Sequence, residues 1–296
     1  MPLALISRST AACTWGDSAF MPTVAELQAI AQHIKTAQDQ GLRLTQITAQ
    51  HAGFDTVAAY AVADLIHAMR LAEGARAVGR KIGFTNPAMW AQYGVSAPVW
   101  GYVYDTTLTY LPDTRYTPAT CSLRGFVQPK IEPEIIFHFH SAPPPDGNMA
   151  AVLACIDWVA HGFEMVQSPY SDWKFQAADA IAVGSLHARL LVGKPQAIDT
   201  LGNSLQEALA AFTLALSCDG QLIETGQGAN VLGNPLQAVV HLMQVLANQS
   251  PHQQLQANEL VTTGTVTSAY AVQPGQTWKT AIDGITLQGV SVLFND

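Results

Sequence analysis

Ile131-Glu132-Pro133-Glu134-Ile135-Ile136-Phe137 is the stretch on which the reading of this chain turns. In an extended strand, successive side chains alternate between faces, so Glu132 and Glu134 point the same way. Ile131, Ile135 and Phe137 point the other way, toward a core. Two carboxylates side by side repel. The repulsion costs little in water and much more in a pocket, unless a cation or a proton lies between them. Pro133 has no N–H for a ladder, which predicts an open edge or a break beside the pair. One reading is half of a site for a hard metal. The ordinary alternative is a solvated strand face with two unremarkable glutamates.

Outward from this strand, the next informative residue is Glu164, in Phe163-Glu164-Met165-Val166. A lone acid inside an apolar strand requires a partner. Three carboxylates with no nearby cysteine suit Mg²⁺ or Mn²⁺ better than zinc. Lys81, in Arg80-Lys81-Ile82-Gly83, alternates with an apolar neighbour; a strand lysine of this kind commonly reaches solvent. His161 and His187 lie within apolar strands, a setting typical of hydrogen-bonded structural histidines, as are His138 and His140.

The surrounding chain sorts into a helical front and a β-rich remainder. Thr23, with Glu26 three residues on, opens a helix that Gly41 closes. A short element covers Leu44 to Gln50, and Asp55 caps a second long helix ending near Gly74. From Val78 onward, short β-like runs alternate with turn residues. Strands are predicted at 80–85, 99–104, 131–137, 158–166, 186–192, 210–218, 260–263, 277–282 and 285–294. Asp219-Gly220 reads as a hairpin turn, Met89 to Tyr93 as a helical turn, 149–154 as a short helix and 235–247 as an amphipathic one. The fold class is therefore α+β, divided into a helical section over 1–77 and a β-rich domain over 78–296.

The 296 residues are 49% hydrophobic and only 12% charged, with a net charge of −8. That composition describes a compact chain with a large core, and its charge argues against nucleic acid as a partner. No apolar run is long enough to span a bilayer. Met1 to Met21 lacks the apolar run of a signal peptide and reads as a docking arm. The four cysteines form no CxxC, which fits buried thiols in a reducing cytoplasm. Asn248-Gln249-Ser250 matches a glycosylation sequon with no other sign of secretion. Gly226 to Gly233 lacks the Lys-Ser/Thr of a phosphate loop and reads as a turn and helix start.

Taken together, Lys81-Ile-Gly-Phe-Thr, Tyr93-Gly-Val with Pro98-x-x-Gly101, Ile131-Glu-Pro-Glu-Ile and Phe163-Glu-Met-Val resemble the fumarylacetoacetate hydrolase superfamily. Asp172-Trp-Lys, Gly228-Ala-Asn-Val-Leu-Gly-Asn-Pro-Leu, Thr263-Gly-Thr-Val-Thr and Asp283-Gly extend the resemblance in the same order. Within the superfamily, the likeness is to 2-keto-4-pentenoate hydratases and 4-oxalocrotonate decarboxylases. It implies a mixed β-roll core and a homo-oligomer. It also implies a Mg²⁺ or Mn²⁺ ion held by Glu132, Glu134 and Glu164, an active-site lysine at Lys81, and a small unsaturated 2-oxo acid as substrate. Glutamate as the third acid matches this branch, whereas the C–C hydrolases of the superfamily usually have aspartate. Val99 stands where hydratases commonly carry an acid, which resembles the decarboxylases; Asp105, at the end of the same run, is the acid that a folded-back turn could supply instead. Ser168-Pro169 stands where Ser-Arg is common, leaving Arg124 or Lys174 as candidate replacements for the cation. The resemblance implies a metal-dependent lyase of aromatic-compound breakdown. A C–C hydrolase of acylpyruvates and an inactive binding protein of the same fold are the alternatives.

Overall fold

The structure is a computed structural model and describes residues 22–87, 90–93, 96–202, 204–249 and 254–296. The arm expected over Met1–Met21, Met89 of the expected helical turn, Gly94 and Val95 of the Tyr93-Gly-Val motif, and Ser250 of the sequon lie outside the described residues.

The front of the chain forms α1 (Val24–Gln40), α2 (Ile47–Gln50) and α3 (Thr56–Ala72). Thr23 and Glu26 form a reciprocal capping box, and Gly41 closes α1 at φ 62°, a left-handed conformation suited to glycine. Asp55 accepts the Ala58 N–H to start α3. Such a cap is worth about 0.5–2 kcal/mol. The strand and helix series then runs β1 (Ala77–Gly83), α4 (Trp90–Tyr93), β2 (Val99–Tyr104), β3 (Leu108–Tyr110), β4 (Ala119–Ser122), β5 (Lys130–Phe139), α5 (Met149–Leu153) and β6 (Ile156–Val166). After these come α6 (Ala177–Ala182), β7 (His187–Val192), β8 (Gln196–Ala197), α7 (Leu205–Ala211), β9 (Thr213–Cys218), β10 (Gln221–Gln227) and α8 (Pro235–Gln249). β11 (Leu260–Thr265), β12 (Tyr270–Ala271), β13 (Thr277–Asp283) and β14 (Ser291–Asn295) close the chain.

The fold is α+β with two mixed sheets. The larger has the order β2-β1-β11-β5-β6-β7-β3, with β12 beside β5 and β8 beside β6; the smaller has the order β10-β9-β13-β14-β4. The larger sheet curls until its β2 edge approaches the start of β7, where Ser185 Oγ donates to the Trp100 carbonyl at 2.5 Å. The inward faces of both sheets and α8 bury one apolar core that includes Phe137, Phe163, Phe212, Leu242 and Phe294. A second core joins α1 and α3 to α6 through Ile34, Val62, Ile181 and Tyr170, and it also takes in Val99 and Val166. Among the described residues, no helix is long and apolar enough to cross a membrane.

Several strand boundaries differ from the sequence reading by a few residues, among them the strand expected over 80–85, which runs from Ala77 to Gly83, and two have a clear physical reason. Over 210–218 the chain is helical up to Ala211, because Leu205 and Leu209 bury one face of α7, and the strand begins at Thr213. Over 285–294 the strand begins only at Ser291. Before it, the Val290 N–H is taken by the Thr280 side chain at 2.9 Å rather than by a regular ladder. The helix α6 and the short strands β3 and β4 were not expected.

Candidate active site

β5 is central in its sheet, between β6 and β11. Its Glu132 lies directly opposite Glu164 of β6 in the antiparallel register. Register therefore joins the third acid to the pair. Ligand oxygens of Glu132, Glu134 and Glu164 lie within 4.8 Å of one another. Pro133 falls at a break and not at an open edge. Its carbonyl accepts from Val266 at 3.0 Å, on the β11 side, so its missing N–H faces that side too. There the ladder shifts register between Thr262 and Thr265.

The break has a chemical consequence. Gly264, within it, turns its N–H onto Glu134 Oε2 at 2.9 Å, and the Thr262 hydroxyl donates to the same oxygen. Gly264 takes φ 93°, and a Cβ there would run into Thr85, so only glycine makes this turn without strain. Glu134 Oε1 is buried with no hydrogen-bond partner. Glu164 is arranged in parallel fashion. His187 Nδ1 lies 2.7 Å from its Oε1. Its Oε2 has no aligned hydrogen bond, although Lys81 Nζ stands 3.0 Å away.

Lys81 reaches inward and not to solvent, with 3% of its side chain exposed. Burial works against its charge, but the three carboxylates, Glu164 foremost, outweigh burial and hold Lys81 above the usual lysine range. The acids divide. Burial and repulsion from Glu164 and Glu132 push Glu134 well above the carboxylate range. Burial, against the pull of Lys81, pushes Glu132 up to about 7. Burial also opposes the charge of Glu164, but Lys81 and His187 overcome it and hold this group below the usual value. Three carboxylates against one ammonium leave an excess of negative charge in a buried place. Glu134 Oε1 has no hydrogen-bond partner there, and Glu164 Oε2 has only the Lys81 ammonium. A divalent cation with oxygen preference fits this donor set.

A narrow cavity of about 40 Å³ opens onto the cluster. Lys81, Glu132, Phe84, Asn86, Trp173 and Ser185 are among its walls. The structure does not bring Asp105 there. β2 ends at Tyr104, and the turn after it leads away to β3, so the Asp105 carboxylate pairs instead with Arg76 at 2.9 Å on the surface. Hydrogen bonds from Arg76 lower the Asp105 pKa. Val99 is buried in the core shared with the helices. Arg124 borders a different surface hollow, and Lys174 is exposed.

A 4-oxalocrotonate decarboxylase from a Pseudomonas species is 31% identical over 257 residues, which covers 84% of this chain and 91% of that protein. The chain belongs to the 4-oxalocrotonate decarboxylase and 2-keto-4-pentenoate hydratase branch of the fumarylacetoacetate hydrolase superfamily. A hydratase of that branch, the 2-keto-4-pentenoate hydratase of Burkholderia vietnamiensis, is 28% identical over 261 residues, covering 88% of this chain and 94% of its own. The solved 4-oxalocrotonate decarboxylase of Pseudomonas putida G7, complexed with magnesium and adipate, superposes with a TM-score of 0.82 at 27% identity over 93% of this chain and 99% of that one. No family model matches the chain.

Sequence reasoning missed two residues beside this branch's carboxylates. His187 was read as a structural histidine, and its bond to Glu164 depends on how β7 lies against β6. Lys130 was passed over, although strand alternation places it on the same face as Glu132 and Glu134. Its ammonium lies 4.0 Å over the ring of Trp173, a wall of the cavity. Burial lowers its pKa against the opposing pull of Glu132.

Proposed function

We propose that the chain is a divalent-cation-dependent lyase of unsaturated 2-oxo acids, with decarboxylation of a 2-oxohex-3-enedioate-type substrate as its reaction. One observation carries the reading: the Glu132/Glu134/Glu164 cluster, with an unpartnered Glu134 oxygen and Lys81 against Glu164, faces a cavity that Glu132 and Lys81 line. Glu132, Glu134 and Glu164 would hold Mg²⁺ or Mn²⁺. Bound there, the ion supplies Lewis acidity toward the carboxylate and 2-oxo oxygens of the substrate.

The residues of the chain do the rest. When the distal C–CO₂⁻ bond breaks, its electron pair is delocalised through the conjugated system toward the 2-oxo oxygen, and a proton then adds to carbon. Lys81 is fixed and desolvated, so its ammonium stabilises the negative charge on that oxygen without reorganising. Lys130, over the ring of the cavity-wall residue Trp173, would hold the second carboxylate in place of Arg124 or Lys174. Phe84 and Trp173 wall the cavity and keep water from the conjugated chain.

Hydration of 2-hydroxypenta-2,4-dienoate is the second reading, and the hydratase relatives favour it. It needs an acid or base to position water. The buried Val99 offers none, and Asp105 is taken by Arg76. A cytoplasmic homo-oligomer is part of the same proposal. The test offers both substrates to the Mg²⁺-loaded protein, with absorbance and CO₂ release followed together. CO₂ from the dicarboxylate is the expected result. Turnover of the dienoate alone would assign the chain to the hydratases, and no turnover of either would leave an inactive binding protein.

A further inference from the structure

Glu134 and Glu164 each spend one oxygen on an anchor and present the other to the cluster. Glu134 Oε2 is anchored twice, by Gly264 and Thr262. Glu164 Oε1 is anchored by His187 alone among the hydrogen bonds described. His187 is held in turn. Its Nε2 lies 2.9 Å from Thr107 Oγ1. Its side chain is 5% exposed, and one side of it borders a second, aromatic-walled cavity lined by Tyr60, Trp100, Tyr102 and Tyr104.

The donor direction at Nδ1 follows from the chemistry of the groups. A carboxylate only accepts, so the Nδ1 facing Glu164 carries the proton. The Tyr104 carbonyl already accepts the Thr107 backbone N–H at 3.0 Å, and the Tyr104 N–H donates to Thr107 Oγ1 at 3.2 Å. The Thr107 hydroxyl itself donates to the Tyr104 carbonyl at 3.1 Å, so Thr107 is held in place and its contact with Nε2 steadies the far side of the His187 ring. Thr107 holds one side of the ring, and the Nδ1 hydrogen bond on the other side fixes which Glu164 oxygen faces inward.

We propose that His187 is a positioning residue for the cation site: it pins Glu164 Oε1 and so aims Oε2 at the cluster, with Thr107 holding the far side of its ring. The inference rests on the cation reading of the three carboxylates given above. Groups that orient a metal-ligating side chain are typically worth about 10–100-fold in metal affinity.

The experiment titrates Mn²⁺ by calorimetry into the chelator-stripped full chain, as wild type and as His187→Phe, His187→Asn and Thr107→Val. His187→Phe fills the ring's space without a donor and should weaken Mn²⁺ binding by about 10–100-fold. His187→Asn restores an N–H near the Nδ1 position and should recover part of the loss. Thr107→Val touches no carboxylate, yet it should weaken binding by an intermediate factor. A residue that merely filled space would show no such order. If His187→Phe does not fold, Thr107→Val decides, since it leaves the ring in place. Wild-type binding together with unchanged binding in His187→Phe and Thr107→Val would overturn this inference alone. A wild type that binds no Mn²⁺ would overturn the cation reading and the inference with it.

Discussion

The two flanks of β5 build the site by opposite means. Toward β6 the ladder is continuous from Lys130 opposite Val166 to His138 opposite Trp158. Regular pairing sets Glu164 across from Glu132, but it consumes every backbone donor in doing so. The acid it delivers must borrow a side chain, His187, from a third strand. Toward β11 the ladder is broken at Thr262–Thr265, and the break releases the Gly264 N–H to hold Glu134. The regular flank is good at placing side chains, and the irregular one at supplying donors. A site of buried carboxylates needs both.

The sharpest way to test the completed cluster is to remove its cation. Lys81→Met should lower turnover by roughly 10²–10⁴-fold, the usual cost of a charge-stabilising or acid–base group. Metal content should stay at the wild-type level. Near-normal turnover would return Lys81 to a structural role. Next come the acids themselves, one from each flank. Glu134→Gln and Glu164→Gln should each weaken Mn²⁺ binding beyond the roughly 100-fold ceiling for outer partners, because each is read as a ligand. Either variant binding at wild-type strength in a calorimetric titration would remove that flank from the site.

How far the sequence reaches follows the same division. The shared face of Glu132 and Glu134 is local alternation and can be read directly, as can the need of Glu164 for company. Lys130 was equally open to that argument, being two residues before Glu132. That Glu164 lies opposite Glu132 is a matter of register between strands some thirty residues apart, which no local pattern states. The link from His187 through Thr107 runs through three separate elements and leaves no sequence spacing to read. Asp105 shows the converse error. A turn that folds an acid back toward a strand is plausible on paper, but this one offers Arg76 as a nearer partner. Tertiary packing likewise decided α7, where Leu205 and Leu209 bury one side of a run read in part as strand.

The broken flank can be tested through its glycine. Gly264→Ala places a Cβ at φ 93° against Thr85 and the Ile82 carbonyl. A non-glycine residue held in so strained a conformation costs about 1–3 kcal/mol. The expected result is a lower Tm together with weaker Mn²⁺ binding, since relief of the clash moves the N–H that holds Glu134. A variant with unchanged Tm and unchanged binding would show that the break is not needed to shape the site.

The smallest expected effect distinguishes the flanks most finely. Thr262 is fully buried, and its hydroxyl is one of two donors on Glu134 Oε2. Thr262→Val keeps the volume and removes that donor. The Gly264 N–H remains at 2.9 Å, so the carboxylate keeps its orientation. Loss of a hydrogen bond to a buried polar group should lower stability by about 1–3 kcal/mol in the metal-free chain. Mn²⁺ affinity should fall by no more than about tenfold, the lower end of what outer partners are worth. On the other flank His187 has no such reserve, so His187→Phe should cost the site more than Thr262→Val. The two variants titrated side by side give the comparison directly. If Thr262→Val proves the more damaging, the anchoring of Glu134 is a single device and not a doubled one, and the two flanks differ in geometry but not in redundancy.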